Sequence, residues 1–372
     1  MSKDLKAITM PKWGLSMKEG SILKWIKSNG ENIKKGEMLL EIETEKVVNE
    51  MESPEDSTIL KICASEGDTV PVGSLIAVCG EVDTSEKIID EFIDKFNSNF
   101  QLEILEEKNN ETNNEKIKIL DIEINFIKNT NSKDENVLFI HGFGGDLNNW
   151  MFNQEELSSE YNTYALDLPG HGKSSKIIED GSIDYLTDII KNFCSQNHLE
   201  KIHLVGHSLG GGICINLAKY NQSLVKSLTL LSPIGLGDEI DEYVKEFIDA
   251  DSRKELRPQL EKLYYNTDLI TRDLLNEVLK FKRLDGVSES LKRIMNDCLY
   301  ENNKQKTYLR DQLVNLNMNL TIIWGNNDKI IPVTHIKNLP ENIKCKIINE
   351  SGHMPHIEKS KEINEVLFEI NK

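Results

Sequence analysis

The chain has 372 residues, 38% of them apolar and 28% charged, which is enough for two domains that each bury a core. A net charge of −18 leaves no basic footprint for nucleic acid or an anionic membrane. No run approaches the roughly 18 apolar residues needed to span a bilayer, the N-terminus lacks the apolar core of a signal peptide, and six cysteines without metal-ligand spacing read as reduced thiols of a cytoplasmic protein.

Residues 21–42 align with 58–79 at a constant offset of 37: SILKWIKSNG (21–30) lies over TILKICASEG (58–67), and Gly36 over Gly73. Fixed-offset similarity marks a duplicated unit. Short alternating segments punctuated by Gly30, Gly36, Gly67 and Gly73 predict a small all-β sandwich over residues 1–80. What the repeat does not copy is ETEKV (43–47), a hairpin tip that exposes Lys46 where a modifying enzyme can reach it. Read alone, Lys46 would pass for an ordinary surface lysine on a turn.

The segments MPKWGLSMKEG (10–20), GEMLLEIETEKV (36–47) and GDTVPVG (67–73) resemble lipoyl (biotinyl-like) carrier domains of 2-oxo acid dehydrogenase acyltransferase (E2) subunits. The resemblance implies lipoate in amide linkage on Lys46. Biotin carriers prefer Met on both sides of their lysine; here the neighbours are Glu45 and Val47, which favours lipoate. Glu45 stands where the family usually has Asp.

Residues 81–114 hold ten Asp/Glu and three Lys and form an acidic linker. Its end, EEKNNETNN (106–114), is polar without periodicity and predicts a flexible segment. Ile88, Ile89, Phe92, Ile93, Phe96 and Phe100 fall at helical spacing behind Ser85 as N-cap. That amphipathic helix either packs within the chain, the better-supported option, or docks a partner subunit.

From residue 115 onward strand-like and helix-like segments alternate, as in an α/β fold. Buried strands are expected at 137–142, 164–168, 201–206, 227–232, 319–325 and 345–348. Charged helical sequence over about 238–312 is too long for one crossover and reads as a helical cap.

GHSLG (206–210) matches G-x-S-x-G at a strand-to-helix junction, where a sharp turn needs flanking glycines and lifts the Ser208 hydroxyl above the sheet. A serine nucleophile needs a base, and the base an orienting acid. Asp328 follows the strand in WGNND (324–328), and His353 lies in the loop SGHMPH (351–356), giving the order Ser, Asp, His. His356 is the rival base, set aside because it falls inside the next helix. HGFGG (141–145) supplies one oxyanion donor, the Phe143 N–H, and Leu209 N–H the other. These segments, with DLPGHGKS (167–174), resemble α/β-hydrolase-fold enzymes over residues 115–372; Asp167 and His171 are assigned structural roles, and His198, His203 and His335 surface or packing roles.

The expected architecture is thus an all-β lipoyl sandwich followed by an α/β-hydrolase fold with a helical cap. A lipoyl thioester and a serine acyl-transfer site fit one pathway. None of the eight histidines is followed four residues later by Asp, so the H-x-x-x-D-G site of conventional E2 acyltransferases is missing. The combination resembles the E2 component of acetoin dehydrogenase complexes. That resemblance implies acetyl transfer from lipoyl-Lys46 to coenzyme A, beside a thiamine-dependent decarboxylase (E1) and a dihydrolipoyl dehydrogenase (E3). A carboxylester or thioester hydrolase that uses its lipoyl module only for docking is the alternative.

Overall fold

The computed structural model describes residues 5–11, 17, 19–44, 47–111, 114–130, 133–302 and 304–370, with backbone alone at Val47, Asn99 and 101–111. Lys46 and Glu45 lie outside the described residues. The chain divides into two compact units, Met1–Thr112 and Asn113–Lys372.

The first unit carries strands β1 (Lys6–Thr9), β2 (Glu19–Trp25), β3 (Asn32–Ile33), β4 (Met38–Thr44), β5 (Val47–Glu52), β6 (Ser57–Ile62), β7 (Thr69–Pro71) and β8 (Leu75–Gly80). They form two four-stranded sheets, β1-β8-β6-β3 and β5-β4-β2-β7. The sequence repeat becomes a strand exchange: β3 of the first copy pairs with β6 of the second, and β7 of the second with β2 of the first. Gly30, Gly36, Gly67 and Gly73, the paired turn glycines, all have φ between +79° and +89°, a region that disfavours a side chain. Between the sheets lie Ile8, Ile22, Leu39, Leu40, Ile42, Ile59 and Ile76.

Helix α1 (Glu86–Glu111) closes this unit. Its Ile89, Phe92, Ile93 and Phe96 cover Leu75, Val78 and Leu60 on the outer face of one sheet, and Lys61 pairs with Asp90 at 2.7 Å. The apolar stripe is therefore spent on packing within its own unit, although Ile88 is left 43% exposed. The backbone stays helical to Glu111, across the polar segment expected to be flexible. Glu106, Glu107 and Lys108 there are good helix formers once a packed turn has nucleated them.

The second unit is an eight-stranded sheet ordered β18-β17-β14-β13-β11-β12-β10-β9. Strands β11 (Asn136–Ile140), β12 (Asn162–Leu166), β13 (Ile202–His207), β14 (Val225–Leu231), β17 (Asn319–Gly325) and β18 (Lys344–Ile348) run parallel. The antiparallel edge pair β9 (Asn114–Ile119) and β10 (Ile122–Asn129) has no counterpart among the expected strands. Alternate residues of β11 enter opposite cores. Leu138 and Ile140 face the side of α3 (Ile183–Gln196) and α4 (Leu209–Tyr220); Val137 and Phe139 face Trp150 beside α2 (Met151–Leu157). A sheet covered on both faces needs such unbroken apolar strands. Between β14 and β17 stand α5 (Tyr243–Asp249), α6 (Arg253–Leu263), α7 (Arg272–Lys282), α8 (Val287–Ile294) and the short ribbon β15 (Tyr300–Glu301) and β16 (Lys304–Gln305). They form the cap above the carboxyl ends of the strands, where open α/β sheets hold their ligands.

Candidate active site

Ser208 sits between the end of β13 and the start of α4 with φ 52° and ψ −113°, strained for a residue with a side chain. The turn closes because its flanks are glycines. A Cβ on Gly206 would come within 2.5 Å of Gly210 O, and one on Gly210 would overlap the carbonyl oxygens of Ile140 and His141. The strain is held in place by three backbone bonds: Ser208 N–H to Leu231 O at 2.9 Å, and Gly212 N–H and Ile234 N–H to Ser208 O, each at 3.1 Å. Leu209, the first residue of α4, has an N–H with no intrahelical acceptor and stands at the positive end of the helix dipole.

His353 shares a cavity of about 90 Å³ with Ser208. Its Nδ1–H donates to Asp328 Oδ2 at 2.8 Å. The Asp328 side chain is fully buried, and four donors compensate its lost hydration. Besides His353 these are Trp324 Nε1–H at 3.0 Å on the same oxygen and the Ile330 and Ile331 N–H groups, at 2.8 and 3.0 Å, on Oδ1. This arrangement leaves the Nε2 of His353 as the nitrogen available for proton transfer.

The loop with Phe143 is fixed by two buried histidines. His141 Nε2 accepts Leu168 N–H at 2.9 Å while its Nδ1–H donates to Gly142 O at 2.7 Å. His171 Nε2 accepts Gly144 N–H at 3.0 Å while its Nδ1–H donates to Pro169 O at 2.9 Å. Each ring must be neutral to act as both donor and acceptor. Burial enforces this, pushing His171 down to about 3 and lowering His141 as well. Asp167 accepts Leu147 N–H at 2.8 Å, Lys173 N–H at 2.6 Å and Asn125 Nδ2–H at 2.8 Å, tying the same loops together. Phe143 itself lines the cavity beside Ser208.

The remaining cavity wall comes largely from the cap and is apolar: Tyr243 and Phe247 of α5, Leu260 and Leu263 of α6, Leu274 and Val278 of α7. His356 does not line this cavity. It stacks on Trp150 with centroids 4.4 Å apart, and burial pushes it down to about 3. His203 bonds Ser227 Oγ at 2.6 Å and His335 bonds Glu239 at 2.6 Å, both buried as packing residues, while His198 is exposed. Sequence reasoning missed two supports of the site. Trp324 holds the acid, and its only local signal is its place four residues before Asp328. His207 donates Nε2–H to the carbonyl of His353 at 2.8 Å across 146 positions of sequence, which leaves no local signal at all.

In the carrier unit, the β4–β5 ladder runs from the Met38–Glu52 pair to the Thr44–Val47 pair. Among the described residues no group of His, Cys, Asp and Glu has the makings of a metal site, and no helix is long and apolar enough to cross a membrane.

Comparison with known proteins agrees with both halves. A family profile of the alpha/beta hydrolase fold matches residues 135–360, and one described as "Biotin-requiring enzyme" matches residues 6–79. The chain is 34% identical to the dihydrolipoyllysine-residue acetyltransferase component of the acetoin cleaving system of Cupriavidus necator, over 99% of this chain and 97% of that one. It is also 34% identical to the component of the same name from Pseudomonas putida, over 98% of each chain. A solved meta-cleavage product hydrolase from Pseudomonas fluorescens matches with a TM-score of 0.63 at 22% identity, covering 69% of this chain and 96% of that one, a likeness of fold. With a carrier sandwich, an α/β-hydrolase unit and two relatives matched almost end to end, the chain belongs to the family of dihydrolipoyllysine-residue acetyltransferase components of acetoin cleaving systems.

Proposed function

We propose that the chain transfers an acetyl group from a lipoyl thioester to coenzyme A through an acyl-enzyme on Ser208. The observation that carries the reading is the shared apolar cavity: a strained serine at a helix N-terminus faces the same space as a histidine whose Nδ1 is fixed by a buried carboxylate. The Thr44–Val47 pair that flanks Lys46 in sequence suits that lysine as the attachment point of lipoate. When bound there, the lipoyl group supplies a mobile thiol that carries the acyl group as a thioester. The residues of the second unit do the rest. Ser208 Oγ attacks the thioester carbonyl while His353 Nε2 takes its proton, and Asp328 stabilises the imidazolium. The Phe143 and Leu209 N–H groups hold the oxyanion, each worth about 3 kcal/mol in the transition state. His353 returns the proton to the leaving thiolate. It then takes one from the incoming thiol, whose sulfur displaces Ser208.

The partners of such a subunit are a thiamine-dependent enzyme (E1) that cleaves the carbon–carbon bond of acetoin, releasing acetaldehyde and loading the acetyl group, and a dihydrolipoyl dehydrogenase (E3) that reoxidises the dithiol. Six unpaired cysteines accord with a reducing, cytoplasmic setting. The test supplies S-acetyldihydrolipoamide and coenzyme A to the full chain and measures acetyl-CoA. Ser208→Ala is expected to lower the rate by about 10⁴-fold or more. Acetate formed at a rate independent of coenzyme A would favour a hydrolase instead.

A further inference from the structure

Glu358 lies outside the triad, at the end of α9 (Pro355–Glu358), yet its carboxylate joins the loop of the catalytic base to the cap. Oε2 accepts Gly352 N–H at 2.6 Å and the Ser351 hydroxyl at 3.3 Å. Oε1 accepts Tyr265 N–H at 2.8 Å and Asn266 N–H at 2.9 Å. A second link runs beside it: His353 N–H donates to Leu263 O at 2.8 Å. The two segments touch so closely that a Cβ on Gly352 would stand 2.6 Å from Leu263 O. One segment carries His353, and the other carries Leu263 and Tyr264, which also line the cavity. Burial first, and then the charge of Glu358, raises the Tyr264 phenol, so the carboxylate is felt at the cavity wall. All four donors on Glu358 are uncharged. Its role is to join backbones, and removing it leaves the bond from His353 N–H to Leu263 O to hold the two segments.

We propose that Glu358 is a positioning residue that locks the cap wall to the His353 loop, so that the base is aligned over Ser208 while the cavity is shut to water. The inference rests on the acyl-serine reading above. The Ser208 ester is resolved by one of two acceptors. With a thiol, a C–S bond forms as the ester C–O bond breaks, and His353 carries the thiol proton to Ser208 Oγ. With water, a C–O bond forms in its place, His353 moves a water proton along the same path, and acetic acid leaves. Loosening the lock admits water and adds nothing for the thiol, so it shifts the division between the two products.

The experiment uses the full chain with S-acetyldihydrolipoamide and coenzyme A and measures acetyl-CoA and acetate together. In Glu358→Gln the ratio of acetate to acetyl-CoA is expected to rise about tenfold, and more in Glu358→Ala. The kcat for transfer falls by about 10- to 100-fold while KM for the donor changes less, as misalignment of a base by about 1 Å would cause. Partial unfolding lowers both products equally and leaves their ratio unmoved. Glu358→Gln keeps the volume and one accepting oxygen, so it gives the answer even if the alanine variant does not fold. A ratio within about twofold of wild type in Glu358→Gln overturns the proposal. Ser208→Ala separates the two levels of the argument. Loss of both products there, with the wild-type ratio kept in the Glu358 variants, defeats this inference alone. Persistence of acetyl-CoA in Ser208→Ala defeats the acyl-serine reading itself.

Discussion

In the first unit the β4–β5 ladder reaches the Thr44–Val47 pair that flanks Lys46 in sequence, with Glu43 and Glu50 exposed on its strands. In the second, Ser208 is 7% exposed, His353 2%, and Asp328 is enclosed by four donors. The carrier requires reach and solubility at one point, and its core can be assembled from a duplicated apolar pattern. The catalytic unit must take charged and polar groups out of water, and its triad is held by partners both near in sequence, as Trp324 is to Asp328, and far, as His207 is from His353. Function is therefore local in one unit and distributed in the other.

The sharpest way to break this contrast is to remove each working group and assay the other unit. Lys46→Arg keeps the charge and the hairpin but removes the amine that forms the amide. Intact mass should show no lipoyl increment, and turnover of the assembled complex should be abolished. Transfer from free S-acetyldihydrolipoamide should stay within about twofold of wild type. Loss of that free-substrate activity would mean that the carrier unit contributes to the catalytic site.

A smaller effect compares two glycines. Gly30 has φ +86° with no heavy atom within 4 Å of an added Cβ, so Gly30→Ala carries only the left-handed backbone cost of about 1–2 kcal/mol. Gly210 stands against the carbonyl oxygens of Ile140 and His141, and backbone cannot swing aside as a side chain can. Gly210→Ala should cost about 3 kcal/mol or more, read as a shift of the denaturant midpoint of the second unit alone. Equal costs at the two glycines would show that the elbow relaxes as freely as a surface turn.

The same contrast explains what was legible in the sequence. The carrier fold could be read because its repeat is short-range, and Lys46 could be singled out because it falls where the symmetry stops. Ser208, Asp328 and His353 could be read because each follows a recognisable apolar strand. The supports of the site could not. His207 meets the carbonyl of His353, and Glu358 meets Tyr265 across 93 positions, so only the folded chain reveals these pairings. Helix α1 was half legible: its apolar stripe predicted a packed face, while the polar stretch after it concealed how far the helix continues. The edge strands β9 and β10 carry charged residues, Glu115, Lys116, Lys118, Glu123 and Lys128, and pair antiparallel, outside the pattern of buried parallel strands.

The smallest effect concerns acid, and it too should divide the units. All eight histidines lie at or beyond residue 141, so the carrier unit has none. His171 and His356 are held at about 3 by burial, against 6.5 for the exposed side chain. Between those values the unfolded chain binds protons that the folded one refuses. The stability each contributes is complete above about pH 6.5 and drains away as pH falls towards 3, by about 1.4 kcal/mol per pH unit. For His171 the loss is unavoidable, because the neutral ring must accept Gly144 N–H to shape the oxyanion loop. For His356 it is not: both ring nitrogens are buried without a hydrogen-bond partner among the described residues, and the ring serves by stacking on Trp150. His356→Phe keeps that stack and removes a buried proton acceptor. Denaturant midpoints at pH 7, 6 and 5 should show about 2 kcal/mol less loss of stability between pH 7 and 5 than in wild type, with transfer activity retained. A variant that folds as well as wild type but no longer transfers would show that the His356 ring, its centroid 4.7 Å from that of His207, supports the His353 loop in addition to stacking on Trp150.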